Sequence, residues 1–346
     1  MWKKIIDYYK IPEAAKEPST DSARFKKIRL ISFLTATLGY GMYYVCRLSM
    51  NVIRKPMVDD GVFTETEIGI IGSCLFFTYA IGKFCNGFIA DRSNVKKLMS
   101  TGLLISALIN LALGFTNSFI VFAVLWGING YFQSMGAASG VVSLSRWFDA
   151  SNRGTYYGYW SASHNLGEAI TFISIAILAT NFGWRYGLIG AGLIGIAYFF
   201  IMQWLMKDTP QKYGYLLEDA TSKKEEKNKA DFNASQKTVL CSPAIWILAL
   251  ASAFMYISRY AVNSWGVFYL ETMKGYSTLD ASFIISISSV CGIVGTVASG
   301  LISDKLFKGS RNIPALVFGL MNVLALCLFL LVPGVHFYID VIAMVL

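Results

Sequence analysis

Gly87-Phe-Ile-Ala-Asp91-Arg92 and Gly300-Leu-Ile-Ser-Asp304-Lys305 lie 213 positions apart, and Tyr44-Val-Cys-Arg47 and Tyr256-Ile-Ser-Arg259 lie 212 apart. Two different landmarks recurring at nearly one offset mark an internal repeat. The second pair carries more weight, because each arginine falls within an apolar run of membrane-spanning length. An arginine at mid-membrane depth costs roughly 2.5–3.5 kcal/mol on insertion scales. A chain with two of them, related by a repeat, is expected to bind an anion between two pseudo-symmetric halves.

The composition fits a membrane protein. Of 346 residues, 55% are hydrophobic and 15% charged, and the mean hydropathy is +0.51. Soluble domains carry about 25% charged residues, so the balance is that of a polytopic helical membrane protein. The net charge of +9 is not a nucleic-acid signal. Lys and Arg cluster in short segments between spans, with no basic groove interleaved with stacking aromatics. The cysteines Cys46, Cys74, Cys85, Cys241, Cys291 and Cys327 show no regular spacing and read as small core residues. His164 and His336 are too few for a histidine-based metal site, so no metal or cofactor is expected. The N-terminus lacks the apolar core and cleavage site of a signal peptide. Trp2, Lys3, Lys4, Ile5 and Ile6 suit either a short helix on the membrane surface or a plain cytoplasmic tail.

Hydropathy predicts spans at 28–53, 67–90, 97–116, 118–145, 154–180 and 184–206, then at 243–271, 278–303 and 313–332. The final apolar run, His336 to Leu346, has 11 residues, too few to cross ~30 Å at ~1.5 Å per residue. The chain is therefore expected to end inside a tenth span, with its second half truncated. The organisation expected is a cytoplasmic tail over 1–27, a six-helix bundle over 28–206, a flexible charged linker over 207–241 and an incomplete helix bundle over 242–346. Basic residues gather in the N-terminal tail, after span 2 (Arg92, Lys96, Lys97), after span 4 (Arg146, Arg153), in the linker, and after span 8 (Lys305, Lys308, Arg311). The loops at 114–118 and 333–336 carry none. That asymmetry predicts a cytoplasmic N-terminus.

Several polar residues share faces with the arginines. Tyr44 lies three residues before Arg47, Tyr40 one turn earlier, and Tyr256 three residues before Arg259. An arginine fork holds phosphate through paired, charge-assisted hydrogen bonds and does not deprotonate. Two forks match a phosphate dianion, and Lys83 on span 2 adds a third cation. His164, in Trp160-Ser-Ala-Ser-His164-Asn165-Leu-Gly167, can donate to a phosphate or pack between helices. Glu168 shares its face and can pair with His164 or with a cation. The bland alternatives are snorkelling for Arg47, towards Arg54, and for Lys83, towards the Asp91 end. In the loop motifs, Gly87 and Gly300 are expected to allow close helix approach. Asp91, Arg92, Asp304 and Lys305 are expected to bridge neighbouring helix ends.

The paired Gly-x-x-x-Asp-Arg/Lys loops resemble the signature of the major facilitator superfamily. Tyr-Tyr-x-x-Arg47, Tyr79-x-x-x-Lys83, Ala-Asp91-Arg-Ser-Asn, Ser-His164-Asn-x-Gly and Tyr256-x-x-Arg259-Tyr together resemble the organophosphate:phosphate antiporters within it. The resemblance runs from about Ile28 onward. It implies the all-α major facilitator fold of two pseudo-symmetric six-helix halves, in an inner (plasma) membrane. It also implies that Arg47 and Arg259 bind phosphate in a cavity lined by Lys83, His164, Tyr40, Tyr44, Tyr79 and Tyr256. Two departures are Ser161 after Trp160, where the family often has asparagine, and Glu168, which interrupts the glycines after the histidine.

The expected function is an obligate exchange of a phosphorylated metabolite (glycerol-3-phosphate, hexose-6-phosphate or phosphoglycerate class) for inorganic phosphate by alternating access. An unoccupied site would leave cations unpaired in a low-dielectric cavity, so return without an anion would be slow. The expected partners are the small-molecule substrate and the lipid bilayer, with a monomeric protein and no nucleic acid. One rival is a membrane sensor of external hexose phosphate acting on a histidine kinase, which Phe-Ala-Val-Leu-Trp126 and Asn263-Ser-Trp265-Gly also resemble. Another is a proton-coupled anion symporter using Glu168 and His164. HExxH, P-loop and GxSxG motifs are lacking, so an enzyme is not expected.

Overall fold

A computed structural model describes residues 7–15, 21–215, 242–305 and 312–346. In chain order the helices are α1 (Ser22–Asp59), α2 (Glu65–Arg92), α3 (Val95–Leu113), α4 (Phe119–Trp147), α5 (Ala150–Phe182), α6 (Trp184–Leu205), α7 (Pro243–Tyr269), α8 (Thr278–Lys305), α9 (Asn312–Leu331) and α10 (Phe337–Val345). No strand occurs among the described residues. The ends follow local chemistry. Asp21, Thr64 and Asn94 cap α1, α2 and α3 through their side chains, and Thr64 completes a capping box with Glu67. Gly183, at φ 95°, makes the sharp turn between α5 and α6. Pro243 opens α7 at its first turn.

Among the described residues, seven helical segments, in α2–α8, are long and apolar enough to cross a membrane. The first expected span, in α1, is not among them. The reason is that α1 turns polar residues inward: Ser32, Thr35, Arg47, Ser49, Asn51 and Arg54 are buried in the bundle. Among the described residues, α2 packs on α4, α3 on α6 and α1 on α5. The two halves meet where α5 lies against α8 and α1 against α7.

Lipid tails are as apolar as leucine, so association in a bilayer rests on close packing and on interhelical hydrogen bonds. Both devices surround Arg47. Asn110 of α3 donates to the Cys46 carbonyl at 2.8 Å, and Asn129 of α4 to the same oxygen at 3.2 Å. Ser49 donates to Asn110 Oδ1 at 2.7 Å. The backbone at Arg47 is thus pinned by two other helices. Nearly two turns away, α1 and α5 touch backbone to backbone: a Cβ on Gly167 would meet Gly41 Cα at 2.8 Å and its carbonyl carbon at 2.9 Å. Gly167→Ala is expected to cost about 1–3 kcal/mol, since backbone cannot rotate away as a side chain can. A fall in detergent melting temperature checks this, with Gly87→Ala as the control that melts unchanged.

That control corrects one expectation. A Cβ on Gly87 meets nothing within 4 Å, whereas one on Gly82 would lie 3.0 Å from the Tyr131 carbonyl oxygen. Close approach of α2 to α4 therefore runs through Gly82. The bridging assigned to Asp91 and Arg92 is carried in the first half by Arg146, which donates to the carbonyls of Ala90, Asp91 and Ser93 at 3.0–3.3 Å and pairs with Asp208 at 3.2 Å. Both Asp91 and Arg92 are exposed. Gly300, Asp304 and Lys305 fall outside the residues whose side chains are described.

The start of the expected linker is not a free tether. Asp208 is buried and accepts from the Val95 and Lys96 amides at 2.6 and 3.4 Å, closing the α3 N-terminus, and Tyr215 is buried as well. Burial pushes the Asp208 carboxyl up from its ordinary range, against Arg146 and those amides, which pull it down. The charged run at 223–229 and the surface-helix residues Trp2 to Ile6 lie outside the described residues. Of the cysteines, Cys46 alone among those described is fully buried, and Cys327 is exposed. The core role expected of the group therefore holds for one member.

Candidate functional site

A cavity between the two halves has a volume of about 690 Å³ and is lined from both. Tyr40, Tyr44, Tyr79, Lys83, His164 and Glu168 come from the first half, and Tyr256, Arg259 and Tyr260 from α7. It extends along α2 to Gly87 and Asp91. Seven of the eight expected binding residues line it. The eighth, Arg47, is buried behind the lining.

Arg47 occupies an aromatic cage. Its guanidinium carbon lies 4.2 Å from the Tyr79 ring centroid, 5.6 Å from Tyr44, 5.8 Å from Phe76 and 5.9 Å from Tyr260. Cation–π attraction strengthens as water is excluded, and Arg47 is 5% exposed. Among the described residues no carboxylate pairs with it, and its Nη2 is buried without a hydrogen-bond partner. The snorkelling alternative fails on this geometry. Arg54, towards which Arg47 would have pointed, is itself buried, with its guanidinium 4.2 Å from the Trp265 ring. Tyr260 and Phe76 are cage members that sequence reading missed. The i,i+4 pairing of Tyr256 with Tyr260, whose rings stack at 5.9 Å, was the available signal for one of them.

The other lining groups form a connected aromatic wall. Tyr40 stacks on Trp160 at 4.6 Å and meets Tyr44 edge-on at 5.4 Å, and Tyr44 lies 5.8 Å from the His164 ring. Lys83 reaches over Tyr79 at 5.2 Å and is exposed to the cavity. Arg259 is held differently from Arg47. It pairs with Glu168 of α5 at 3.6 Å and donates to Asn165 at 3.3 Å. The repeat therefore places its two arginines asymmetrically, one caged by rings and one held by a carboxylate. Away from the Asp91 end, the halves are joined by Asn51 donating to the Asn263 carbonyl at 3.2 Å and by the Arg54–Trp265 stack.

The arrangement can do little bond-making chemistry. Its titratable groups are mostly cations and phenols facing a cavity of several hundred Å³, a layout suited to holding an anion. The family model of the Major Facilitator Superfamily matches residues 30–346. Membrane sensor protein UhpC of Salmonella typhimurium is 32% identical over 86% of this chain and 69% of its own length. A probable hexose phosphate transport protein of Chlamydia muridarum is 33% identical over 92% and 74%. A glycerol-3-phosphate transporter of Bacillus subtilis is 30% identical over 95% and 77%. Among solved structures, an inward-facing bacterial homologue of the lysosomal transporter Spinster superposes with a TM-score of 0.75 at 18% identity, covering 92% of this chain and 73% of that one. The chain belongs to the Major Facilitator Superfamily, and its relatives are those of the organophosphate:phosphate antiporter family within it. It is a multi-pass, non-enzymatic membrane protein of a transporter superfamily.

Proposed function

We propose that this protein carries a phosphorylated metabolite across an inner membrane in exchange for inorganic phosphate, by alternating access. One observation carries the reading: a cavity between the two halves is lined by Arg259, Lys83, His164 and six tyrosines, with a buried, hydrogen-bond-deficient Arg47 directly behind the tyrosines. Movement of Tyr44, Tyr79 or Tyr260 would open the Arg47 fork to a phosphoryl group that Arg259 holds from the other half. The tyrosine hydroxyls and His164 would complete the donor shell. The Asp91 end is the cytoplasmic end by the distribution of Lys and Arg, so the cavity is reached from inside. The Asn51–Asn263 and Arg54–Trp265 contacts then form the outer closure. Hexose phosphate, glycerol-3-phosphate and phosphoglycerate all present the group that two arginines recognise.

A second reading is a sensor of external sugar phosphate, favoured by the 32% identity to a protein named as a membrane sensor. Counterflow separates the two. In liposomes loaded with unlabelled phosphate, labelled phosphate should enter rapidly, and glucose 6-phosphate or glycerol-3-phosphate outside should inhibit it. Saturable sugar-phosphate binding with no counterflow would instead make the protein a sensor.

A further inference from the structure

We infer that Glu168 is a built-in counter-ion that competes with the transported anion for Arg259 and sets how strictly transport is exchange; this rests on the phosphate-binding reading above. Glu168 is 5% exposed and sits on α5 in the first half. Its Oε1 lies 3.6 Å from Arg259 Nη2 on α7, and its Oε2 accepts from Ser289 of α8 at 3.2 Å. One carboxylate thus ties a first-half helix to two second-half helices at the cavity between them. The same Nη2 donates to Asn165, so α5 supplies both of the groups that hold it.

The chemistry follows from the geometry. A phosphate oxygen that takes Nη2 must displace a carboxylate oxygen, so binding at Arg259 is a swap of one anion for another. The swap reduces the net affinity for phosphate. It also breaks the α5–α7 link when the anion arrives and restores it when the anion leaves, so occupancy is coupled to a contact between the halves. When no anion is bound, Glu168 neutralises Arg259, and the carrier can reorient without leaving that cation unpaired in a low-dielectric cavity. Arg47 has no such carboxylate among the described residues. Exchange is therefore enforced by one arginine and relaxed at the other.

The test uses the full-length protein, with inorganic phosphate as the probe. Glu168→Gln keeps the size and the Ser289 hydrogen bond but removes the charge. It should bind phosphate about tenfold more tightly than wild type. In proteoliposomes it should also lower net phosphate efflux into phosphate-free buffer, relative to phosphate–phosphate exchange, by a similar factor. Glu168→Asp, which withdraws the carboxylate by one methylene, should shift both quantities in the same direction by less, and it serves if the glutamine variant does not fold. A wild type that binds phosphate, with unchanged or weaker binding in both variants, overturns the counter-ion role and leaves the phosphate site standing. Absence of phosphate binding in wild type and both variants overturns the phosphate site and this role with it.

Discussion

Arg47→Ala should abolish phosphate exchange without lowering the melting temperature of the protein. The loss follows from the removal of a buried charge-assisted fork, about 2–5 kcal/mol, or on the order of a hundred- to thousandfold in transport. The unchanged stability follows from the cage. Arg47 is buried with one guanidinium nitrogen unpaired, and no carboxylate among the described residues lies within ion-pair distance of it. Its burial is therefore a cost to folding that the rings of Tyr79, Tyr44, Phe76 and Tyr260 only partly offset. Removing such a group from a binding site commonly stabilises a fold while destroying function. Arg47→Lys should recover little, because an ammonium keeps the charge but lacks the planar fork. Transport assays in proteoliposomes and melting curves in detergent check the two halves of this expectation together.

Lys274→Met should have the opposite profile, a large loss of stability from a residue outside the cavity. Lys274 pairs with Asp340, and the side chains are 2% and 0% exposed. Tyr276 donates to the other carboxylate oxygen at 2.7 Å, and the ammonium lies 5.2 Å from the Phe329 ring. This network fastens the turn after α7 to α10. Removing one partner strands the other charge in an apolar interior, at about 3–5 kcal/mol. The double change Lys274→Met with Asp340→Leu should recover most of that loss, since a hydrophobic pair of similar volume needs no desolvation. What remains is the Tyr276 hydroxyl without its acceptor, about 1–3 kcal/mol. Melting temperatures of the two single variants and the double variant decide the matter. Equal losses in the double and the singles would mean that packing, not charge, holds this corner.

Which parts were legible in the sequence depended on the range of the interaction. The helices α2–α9 follow hydropathy closely because a bilayer demands continuous apolar runs and satisfied backbone. The arginines stood out because charge at that depth is costly and occurs twice at one offset. Glu168 was visible as a partner on the His164 face, but which cation it meets depends on how α5 crosses α7, which no local pattern encodes. Phe76 and Tyr260 were missed for the same reason: the cage around Arg47 is assembled from α1, α2 and α7. Asp208 looked like linker composition, yet it caps α3 from more than a hundred residues away along the chain. The role given to Gly87 failed because a glycine permits close approach without requiring it, and only the neighbouring backbone decides. Arg47 itself looked like a residue that would line the cavity, and it sits behind the lining because aromatic rings intervene.

On the proposed function, the phosphoryl group is what this cavity recognises. Titration of the purified full-length protein with glucose 6-phosphate, glycerol-3-phosphate, inorganic phosphate, glucose and glycerol tests it most directly. The three phosphates should bind and displace one another competitively, glucose and glycerol should not bind, and Arg259→Ala should weaken all three phosphates together. Binding of glucose comparable to that of glucose 6-phosphate, or sugar-phosphate binding that inorganic phosphate cannot displace, would contradict that reading.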